Sequence, residues 1–438
     1  IIFFRGPARQ GLPGARPPSE EVEMFVDAYM TEEQVALQKL AHDFAVNEIR
    51  PIAMDLDHNT DPAKSAYMDS LLEKADAAGF RTMTVPEEYG GGGISSLFTH
   101  CVVGEELGWG DRGVVGMLLS CAKIAHLLMA DALATKEQRD KWLKAFVDDP
   151  TFMISQAMTE DDTGSENLLP YDGVDGGFRT RAVREGDYYI LNGRKRFISN
   201  VGYAKLNFVY VRTDPTKNIL EGSTLLMVPI DTPGLSFGRV HDKMGYRLNL
   251  NREMIFEDAK VPVANRLGPE NYGIVNINSH LRGGDSLINA AAMVGLARAA
   301  YEATLEYASN RRASGKLLIH HQAIGLKLVE MYTQINAARA YIWQASRQID
   351  DRDKLSVDTK MAGSASYFAH EAACDVTRAA MEIHGGMGVM RELPIEMYLR
   401  NAYNMLHSDG GIIMKKLKVM RAMGMDVHAT NGSEKVSI

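Results

Sequence analysis

Residues 381–411 read MEIHGGMGVMRELPIEMYLRNAYNMLHSDGG, and this stretch combines structural and chemical signals. It predicts a helix that closes on Gly385 and Gly386, a turn that contains Pro394, and a second helical run that stops at Asp409. Glycines allow a backbone to approach a ligand closely, and a carboxylate on such a turn can reach a reacting atom. From spacing alone, Asp409 is more readily interpreted as a turn former or as the N-cap of the lysine-rich helix that follows.

Composition indicates an ordinary globular protein. A chain of 438 residues with 45% hydrophobic content can bury a large core and predicts two or three domains. The formal net charge of -8 argues against a nucleic-acid partner. No apolar run is long enough to cross a bilayer. Three separated cysteines, Cys101, Cys121 and Cys374, show no metal-ligand spacing and indicate buried thiols in a reducing, cytoplasmic compartment.

The first 29 residues differ from the rest of the chain. They begin with Ile and carry Arg5, Arg9 and Arg16 before the first acidic residue, Glu20. We interpret them as a leader or disordered extension, with a fragment end or a mis-set start as alternatives. If they are a transit peptide, the mitochondrial matrix replaces the cytoplasm as the expected location.

The rest of the chain changes character twice. TEEQ, from Thr31 to Gln34, is a capping box that predicts the first helix, and helical periodicity continues to about residue 152. Short strand-like runs fill residues 153–268, where Asn192 and Gly193 predict a hairpin turn. Helical periodicity then returns over 269–438. The sequence therefore predicts an α+β protein with an N-terminal helical domain (30–152), a middle β domain and a C-terminal helical domain.

The stretch 381–411 resembles the C-terminal signature of the acyl-CoA dehydrogenase family. There a helix ending in Gln-x-x-Gly-Gly-x-Gly is followed by Arg-Asp-Ala and by Tyr-Glu-Gly-Thr. The corresponding residues are Glu382, Gly385, Gly386, Gly388, Arg400, Asn401, Ala402, Ser408, Asp409, Gly410 and Gly411. The resemblance implies a middle β-barrel or sheet domain and a C-terminal four-helix bundle. It also implies that Asp409 is the catalytic base and that Gly410 contacts substrate.

Two further segments resemble flavin-contacting motifs of this family. AMTEDDTGSE resembles Thr-Glu-x-x-x-Gly-Ser-Asp, which implies that Met158 and Thr159 contact the flavin pyrimidine edge and that Ser165 contacts the pantetheine chain. GRKRFISN resembles Lys-x-Trp-Ile-Thr-Asn, so Phe197 would pack on the isoalloxazine and Ser199 would bond near flavin N5. Without the family, these residues are interpreted as a polar loop and a core aromatic.

A fourth segment, YASNRRASGKLLIHHQAIG, resembles the family's Tyr-Ala-x-x-Arg-x-x-Phe-Gly-Lys run. It implies that Arg311 and Gln322 bind the ADP half of an FAD held by a neighbouring subunit, hence a homo-oligomer, either dimer or tetramer. The alternative is a solvated arginine pair on a helix. Glu382, with Gly385 and Gly386, would lie beside the same dinucleotide. A carboxylate there weakens FAD binding unless a cation or proton intervenes.

The resemblance implies an FAD-dependent acyl-CoA dehydrogenase. In this reaction a carboxylate removes the α-proton of an acyl-CoA thioester while a hydride passes to flavin N5. Asp409 is about 1.5 Å shorter in reach than the family's usual Glu. Some members carry the base on the first long C-terminal helix, where Asp285 stands here, and the arginine that follows it is replaced by Ser286. These departures favour a branched, cyclic or otherwise unusual acyl-CoA, with electron-transferring flavoprotein as the usual partner.

The sequence leaves some other functions open and argues against others. An enoyl-CoA reductase of the same family and a non-catalytic flavoprotein or assembly subunit are alternatives. An enzyme of the same fold that eliminates a group or reacts with oxygen is another. No G-x-G-x-x-G follows a strand, and EEYGGGGIS lacks the Lys-Ser/Thr of a P-loop. The histidines show no metal-ligand spacing, so no metal site is predicted.

Overall fold

The computed structural model describes residues 30–66, 69–169, 173–274, 284–351, 359–408 and 410–425. Within these ranges the side chains of residues 120–124, 284, 285 and 359 are not described. The predicted leader and the candidate base Asp409 therefore lie outside the described residues. So does the side chain of Asp285.

The N-terminal domain is helical, as predicted. Thr31 is the N-cap of the first helix and forms the predicted capping box with Gln34. This helix passes through a π-helical turn, Ala45–Ile49, into the second. The helices are α1 Glu32–Phe44, α2 Arg50–Asp57, α3 Pro62–Ser65, α4 Asp69–Ala77, α5 Leu97–Gly110, α6 Arg112–Met129 and α7 Lys136–Asp148.

The middle domain is a β-sheet. Its strands are β1 Ile154–Ala157, β2 Arg181–Glu185, β3 Tyr188–Ser199, β4 Leu206–Arg212, β5 Ser223–Pro229, β6 Leu235–Val240, β7 Asn251–Pro262 and β8 Arg266–Leu267, with a short helix, α8 Ile219–Gly222. Among the described residues the strand order is β6-β7-β3-β2-β4-β5-β8, and β1 pairs parallel to β4. Every residue of β4 is buried, because both faces of this strand are covered.

The hairpin predicted at Asn192 and Gly193 is wrong. Both residues lie inside β3, at a register shift in its pairing with β7, and the turn that joins β2 to β3 comes earlier, after Glu185. A Cβ at Gly193 would lie 2.7 Å from the Thr180 backbone, so the glycine permits a close approach of neighbouring chain. Asn192 exchanges hydrogen bonds with Asp258 across the irregularity.

The C-terminal domain is again helical, which confirms the predicted α+β architecture. Its elements are α9 Gly284–Asn310, β9 Arg312–Ala313, β10 Lys316–Leu317, α10 Gln322–Asp350, α11 Thr359–His384, α12 Ile395–Met405 and α13 Gly411–Ala422. Helix α9 packs closely on α5, since a Cβ at Gly108 or at Gly295 would collide with backbone of the facing helix. The core is therefore shared between the two helical domains.

Cys101 and Cys374 are buried free thiols, while the side chain of Cys121 is not described. None of the described helices has an apolar stretch long enough to span a membrane.

Candidate cofactor and substrate site

The aromatic side chain of Phe197 stands at a bulge in β3 and faces outward. The pairing of β3 with β7 shifts register between Lys195 and Ile198, and Phe197 has a left-handed φ of 60°. A bulge re-aims a side chain without ending the strand, and Phe197 is 53% exposed whereas Ile198 is buried. Asn251 Nδ2 donates to the Phe197 carbonyl oxygen at 2.8 Å and to Ser199 Oγ at 3.1 Å. Because the Ser199 oxygen accepts inside the protein, its O–H remains able to donate to a ligand.

A buried ion pair fixes the end of β1 against this bulge. Lys195 Nζ donates to Glu160 Oε1 at 2.8 Å and to the Met158 carbonyl oxygen at 3.0 Å. The backbone N–H of Arg196 donates to the Thr159 carbonyl oxygen at 2.8 Å. Burial lowers the pKa of Lys195 to about 8, against the opposing effect of Glu160. Burial opposes the ionised form of Glu160 as well, but Lys195 and several hydrogen bonds outweigh it and hold the pKa of Glu160 below its usual range.

Sequence reasoning did not single out Lys195 or Glu160. A signal existed, because the period of two that turns Tyr189 and Leu191 inward along β3 also turns Lys195 inward. A lysine on the buried face of a strand requires a partner.

We call Met158, Thr159, Phe197 and Ser199 the flavin-ring group.

A second set of predicted residues lies at one end of the C-terminal helices. This bundle-end group consists of Arg311, Gln322, Glu382, Gly385 and Gly386. The rings of Tyr307 on α9 and His384 on α11 stack with centroids 4.2 Å apart, which brings the ends of these helices together. Both glycines are exposed, and no described atom lies within 4 Å of a Cβ built on either. The end of the bundle is therefore open to a ligand.

The carboxylate of Glu382 does not stand alone. It pairs with Lys327 on α10, and its Oε1 lies 3.3 Å from Arg378 Nη1. The hydrogen bond from Lys327 is the largest of the effects that lower the pKa of Glu382. Arg378 also pairs with Asp375, with 3.2 Å between Nη2 and Oδ1, so Lys327 is the cation that Glu382 shares with no second carboxylate among the ion pairs described. A cation thus intervenes beside the carboxylate, which is the condition under which a pyrophosphate can bind there.

The flavin-ring group and the bundle-end group are separate within one chain. Among the described residues no hydrogen bond, ion pair or ring contact joins a member of one group to a member of the other. The two groups therefore do not contact each other directly in the described part of the chain.

Gly410 packs on the segment that contains Ser165. The N–H of Gly411 donates to the Ser408 carbonyl oxygen at 3.0 Å. Gly410 has a φ of 84°, and a Cβ at this position would lie 3.1 Å from Leu168 Cδ1. Leu168 ends the 3-10 turn that Ser165 begins, so the two predicted substrate residues lie near one another.

Asp285 is the second residue of α9, and the structure describes the helix turn that follows it. One turn later, Asn289 accepts a hydrogen bond from Arg112 Nη2 at 2.7 Å. Arg112 was not predicted as a site residue, although an arginine at the start of the apolar helix α6 is itself a signal.

One cluster among the described residues has the ligand types of a metal site, namely Asp57, His58 and Glu396. Arg400 donates from Nε to Glu396 at 2.6 Å and from Nη1 to Asp57 at 3.1 Å. The guanidinium already pairs with both carboxylates, so the cluster serves to join α2 to α12.

The residues of both groups fit a flavin dinucleotide. An exposed aromatic ring on the same strand as a hydroxyl donor suits a planar heteroaromatic ligand. Open glycines and the guanidinium of Arg311 at the bundle end suit a pyrophosphate.

Three domain models of one family match the chain. They are Acyl-CoA dehydrogenase, N-terminal domain over residues 31–149, Acyl-CoA dehydrogenase, middle domain over 155–259, and Acyl-CoA dehydrogenase, C-terminal domain over 285–423. The mitochondrial isobutyryl-CoA dehydrogenase of Dictyostelium discoideum is 32% identical over 91% of each chain. The 3-(aryl)acrylate reductase of Clostridium sporogenes is 33% identical, over 85% of this chain and 93% of its own. Butyryl-CoA dehydrogenase from Megasphaera elsdenii has a similar structure, with a TM-score of 0.82 and 30% identity over 91% of this chain and all of its own.

Proposed function

We propose that this chain, which belongs to the acyl-CoA dehydrogenase family, is an FAD-dependent oxidoreductase. It acts on the CH–CH group of a branched, cyclic or otherwise unusual acyl-CoA. The observation that carries the proposal is the outward ring of Phe197 beside the free O–H of Ser199, on a bulge fixed by Asn251. The branched-chain relative and the aryl relative support an acyl group other than a straight chain.

The cofactor would be held by two subunits. Phe197 packs against the ring, Ser199 donates to its edge, and the backbone at Met158 and Thr159 borders the pyrimidine side. Arg311 and Gln322, with Glu382, Gly385 and Gly386, hold the ADP half of the FAD bound by the neighbouring subunit. When bound, FAD would supply the acceptor for the hydride that leaves the β-carbon of the acyl chain.

The chain itself contributes the base and the orientation of the thioester. Asp409 or Asp285 removes the proton from the carbon next to the thioester carbonyl, and the carboxylate becomes a carboxylic acid. Ser165 and Gly410 border the thioester and its pantetheine chain. Backbone N–H groups near the base stabilise the charge that develops on the thioester oxygen, which lowers the barrier to proton removal. Electron-transferring flavoprotein is the partner that the family implies.

The experiment is a spectral screen. The purified protein is reconstituted with FAD, freed of excess cofactor, and mixed anaerobically with branched, cyclic, aryl and straight-chain acyl-CoA thioesters. We expect stoichiometric bound flavin, and bleaching of the visible flavin band by at least one thioester. A protein that retains no flavin after reconstitution contradicts the proposal.

Reduction of an enoyl-CoA is a second candidate, because one relative is a 3-(aryl)acrylate reductase. Product analysis with an external electron acceptor, and in parallel with a reduced donor and the enoyl thioester, decides the direction of electron flow.

A further inference from the structure

The side chain of Asn251, the first residue of β7, forms hydrogen bonds through both polar atoms of its amide. Nδ2 donates one hydrogen to the Phe197 carbonyl oxygen at 2.8 Å and the other to Ser199 Oγ at 3.1 Å. Oδ1 accepts from Lys243 Nζ. Asn251 also lies directly opposite Ser199 in the pairing of β7 with β3. The amide is therefore held at both ends.

The partners of this amide permit only one of its two orientations. The Phe197 carbonyl oxygen has no hydrogen to donate, so it requires Nδ2 beside it, and the Lys243 ammonium has no lone pair, so it requires Oδ1. Turning the amide over would place two acceptors together at one end and two donors together at the other. Lys243 and the Phe197 backbone thus fix the same orientation from opposite sides.

Lys243 is itself held in place by the loop between β6 and β7. Its Nζ also donates to the Asn249 carbonyl oxygen and lies 4.7 Å from the Tyr246 ring centroid. The N–H of Tyr246 donates to Asn401 Oδ1 at 2.6 Å, which anchors this loop on α12. Burial lowers the pKa of Lys243 to about 7, and Arg247 acts in the same direction. A neutral amine still has two hydrogens, one for each of its two oxygen acceptors.

The orientation of the amide decides what Ser199 can offer a ligand. With Nδ2 directed at it, Ser199 Oγ accepts a hydrogen bond, and among the described residues no acceptor takes its own hydrogen. The side chain is partly exposed, so this hydrogen can reach a ligand. In the opposite orientation the hydroxyl would donate to Asn251 Oδ1 and present only lone pairs. The N5 atom of an oxidised flavin is an acceptor and requires a hydroxyl that keeps its hydrogen.

On the basis of the function proposed above, we infer that Asn251 and Lys243 are positioning residues for hydride transfer, acting through the hydroxyl of Ser199. They keep its hydrogen available to flavin N5. A hydrogen bond donated to N5 stabilises the negative charge that a hydride brings to the ring. Loss of this arrangement should therefore slow bleaching of the flavin at saturating thioester and leave the affinity for thioester unchanged.

The first test needs no substrate. Raman spectroscopy of the oxidised, FAD-loaded protein records the stretching band of the flavin N5=C4a bond, which responds to a hydrogen bond at N5. Ser199→Ala removes the hydroxyl. Asn251→Asp keeps the shape of the side chain but offers only acceptors, so Ser199 donates to it instead of to the flavin. We expect both variants to displace the band to the same position. The control Lys260→Met removes a lysine from the exposed end of β7 and should leave the band unchanged.

A double-mutant cycle separates the loss of the donor from the charge that Asn251→Asp adds. The rate constant of anaerobic bleaching at saturating thioester is measured in wild type, Ser199→Ala, Asn251→Asp and the double variant. We expect a fall of about tenfold or more in each single variant and no further fall in the double variant. A charge or packing effect that acts without Ser199 would slow the Ser199→Ala protein further.

Lys243 is tested in the same two backgrounds. Lys243→Met removes one of the two constraints on the amide, so it should slow bleaching a few-fold in the wild-type background and not in Ser199→Ala. Lys243→Arg keeps the donors and should retain most of the rate. Circular dichroism and FAD titration establish that each variant is folded and loaded. If Lys243→Met does not fold, the cycle at Asn251 decides.

Three results overturn the inference. They are a Raman band that Ser199→Ala does not displace, a band that stays at the wild-type position in Asn251→Asp, and rate effects of these two changes that add in the double variant. If the wild-type protein binds FAD and a thioester bleaches it, any of these results defeats the inference alone. If the wild-type protein retains no flavin, the proposed function fails with it. If it retains flavin that no thioester bleaches, the proposed function fails and the Raman comparison still decides the inference.

Discussion

Lys195 Nζ lies 2.8 Å from Glu160 Oε1 and 3.0 Å from the Met158 carbonyl oxygen. This buried contact fastens the end of β1 to the strand that carries Phe197. The position of the Phe197 ring therefore depends on an ion pair that takes no part in the proposed reaction.

Removing one member of this pair should destabilise the protein. Lys195→Met leaves the buried carboxylate of Glu160 without its cation, which costs about 3–5 kcal/mol of unfolding free energy. Urea unfolding followed by circular dichroism measures the loss. The double variant Lys195→Met/Glu160→Gln, which removes both charges, should recover much of it. A single variant as stable as wild type would show that the pair contributes nothing.

The ring of Phe197 should contribute to FAD affinity. Phe197→Ala removes the exposed wall without disturbing the core, and we expect the dissociation constant of FAD to rise about tenfold. Fluorescence titration of the apoprotein measures it. Tyr188→Ala is the matched control, because Tyr188 is an equally exposed aromatic at the other end of β3. Equal effects of the two variants would argue against a specific role for Phe197.

Glu382 should weaken FAD binding only slightly, because Lys327 and Arg378 neutralise it. Glu382→Gln releases Lys327 toward the dinucleotide, while Arg378 keeps its contact with Asp375. FAD should therefore bind a few-fold more tightly at low ionic strength, and the gain should shrink as salt screens the charges. The control is Glu330→Gln, which removes the same charge from an exposed residue on α10. If FAD binds to Glu382→Gln more weakly than to wild type, the Glu382 carboxylate itself contacts the cofactor.

Asp111 should give the protein a distinct pH dependence. Its pKa is raised by burial from 3.8 to about 6, so the folded state binds this proton more tightly than the unfolded state does. The resulting stabilisation is complete below pH 3.8 and is lost as pH rises through about 6, a change of about 3 kcal/mol.

The neutral variant Asp111→Asn lacks this titration. Urea unfolding across this pH range measures the free energy of unfolding of both proteins. The stability of wild type relative to the variant should fall as pH rises. A difference that stays constant with pH contradicts the raised pKa.

The sequence contained enough local information for the order of the domains and for several helix faces. The capping box at Thr31 depends on residues within one turn of one another, and the structure has it. The helical periodicity after residue 269 is equally local, and the structure has helices there. Such patterns are set by helix geometry alone.

Features that depend on distant residues were missed. Asn192 and Gly193 have the composition of a hairpin turn, but their conformation is decided by Thr180 and Asp258 on neighbouring strands. A bulge and a tight turn use the same residue types, so the local pattern does not distinguish them. In the same way, Lys195 and Arg112 acquire their surroundings only when separate segments meet.

Anaerobic rapid mixing of the FAD-loaded protein with its best acyl-CoA substrate tests the assignment of the base most directly. Asp409→Asn and Asp285→Asn, made separately, keep the side-chain shape but cannot accept the α-proton. We predict that one of them slows flavin bleaching by at least about a hundredfold while the protein still binds FAD and thioester. Bleaching at the wild-type rate in both variants would contradict a carboxylate base at either position.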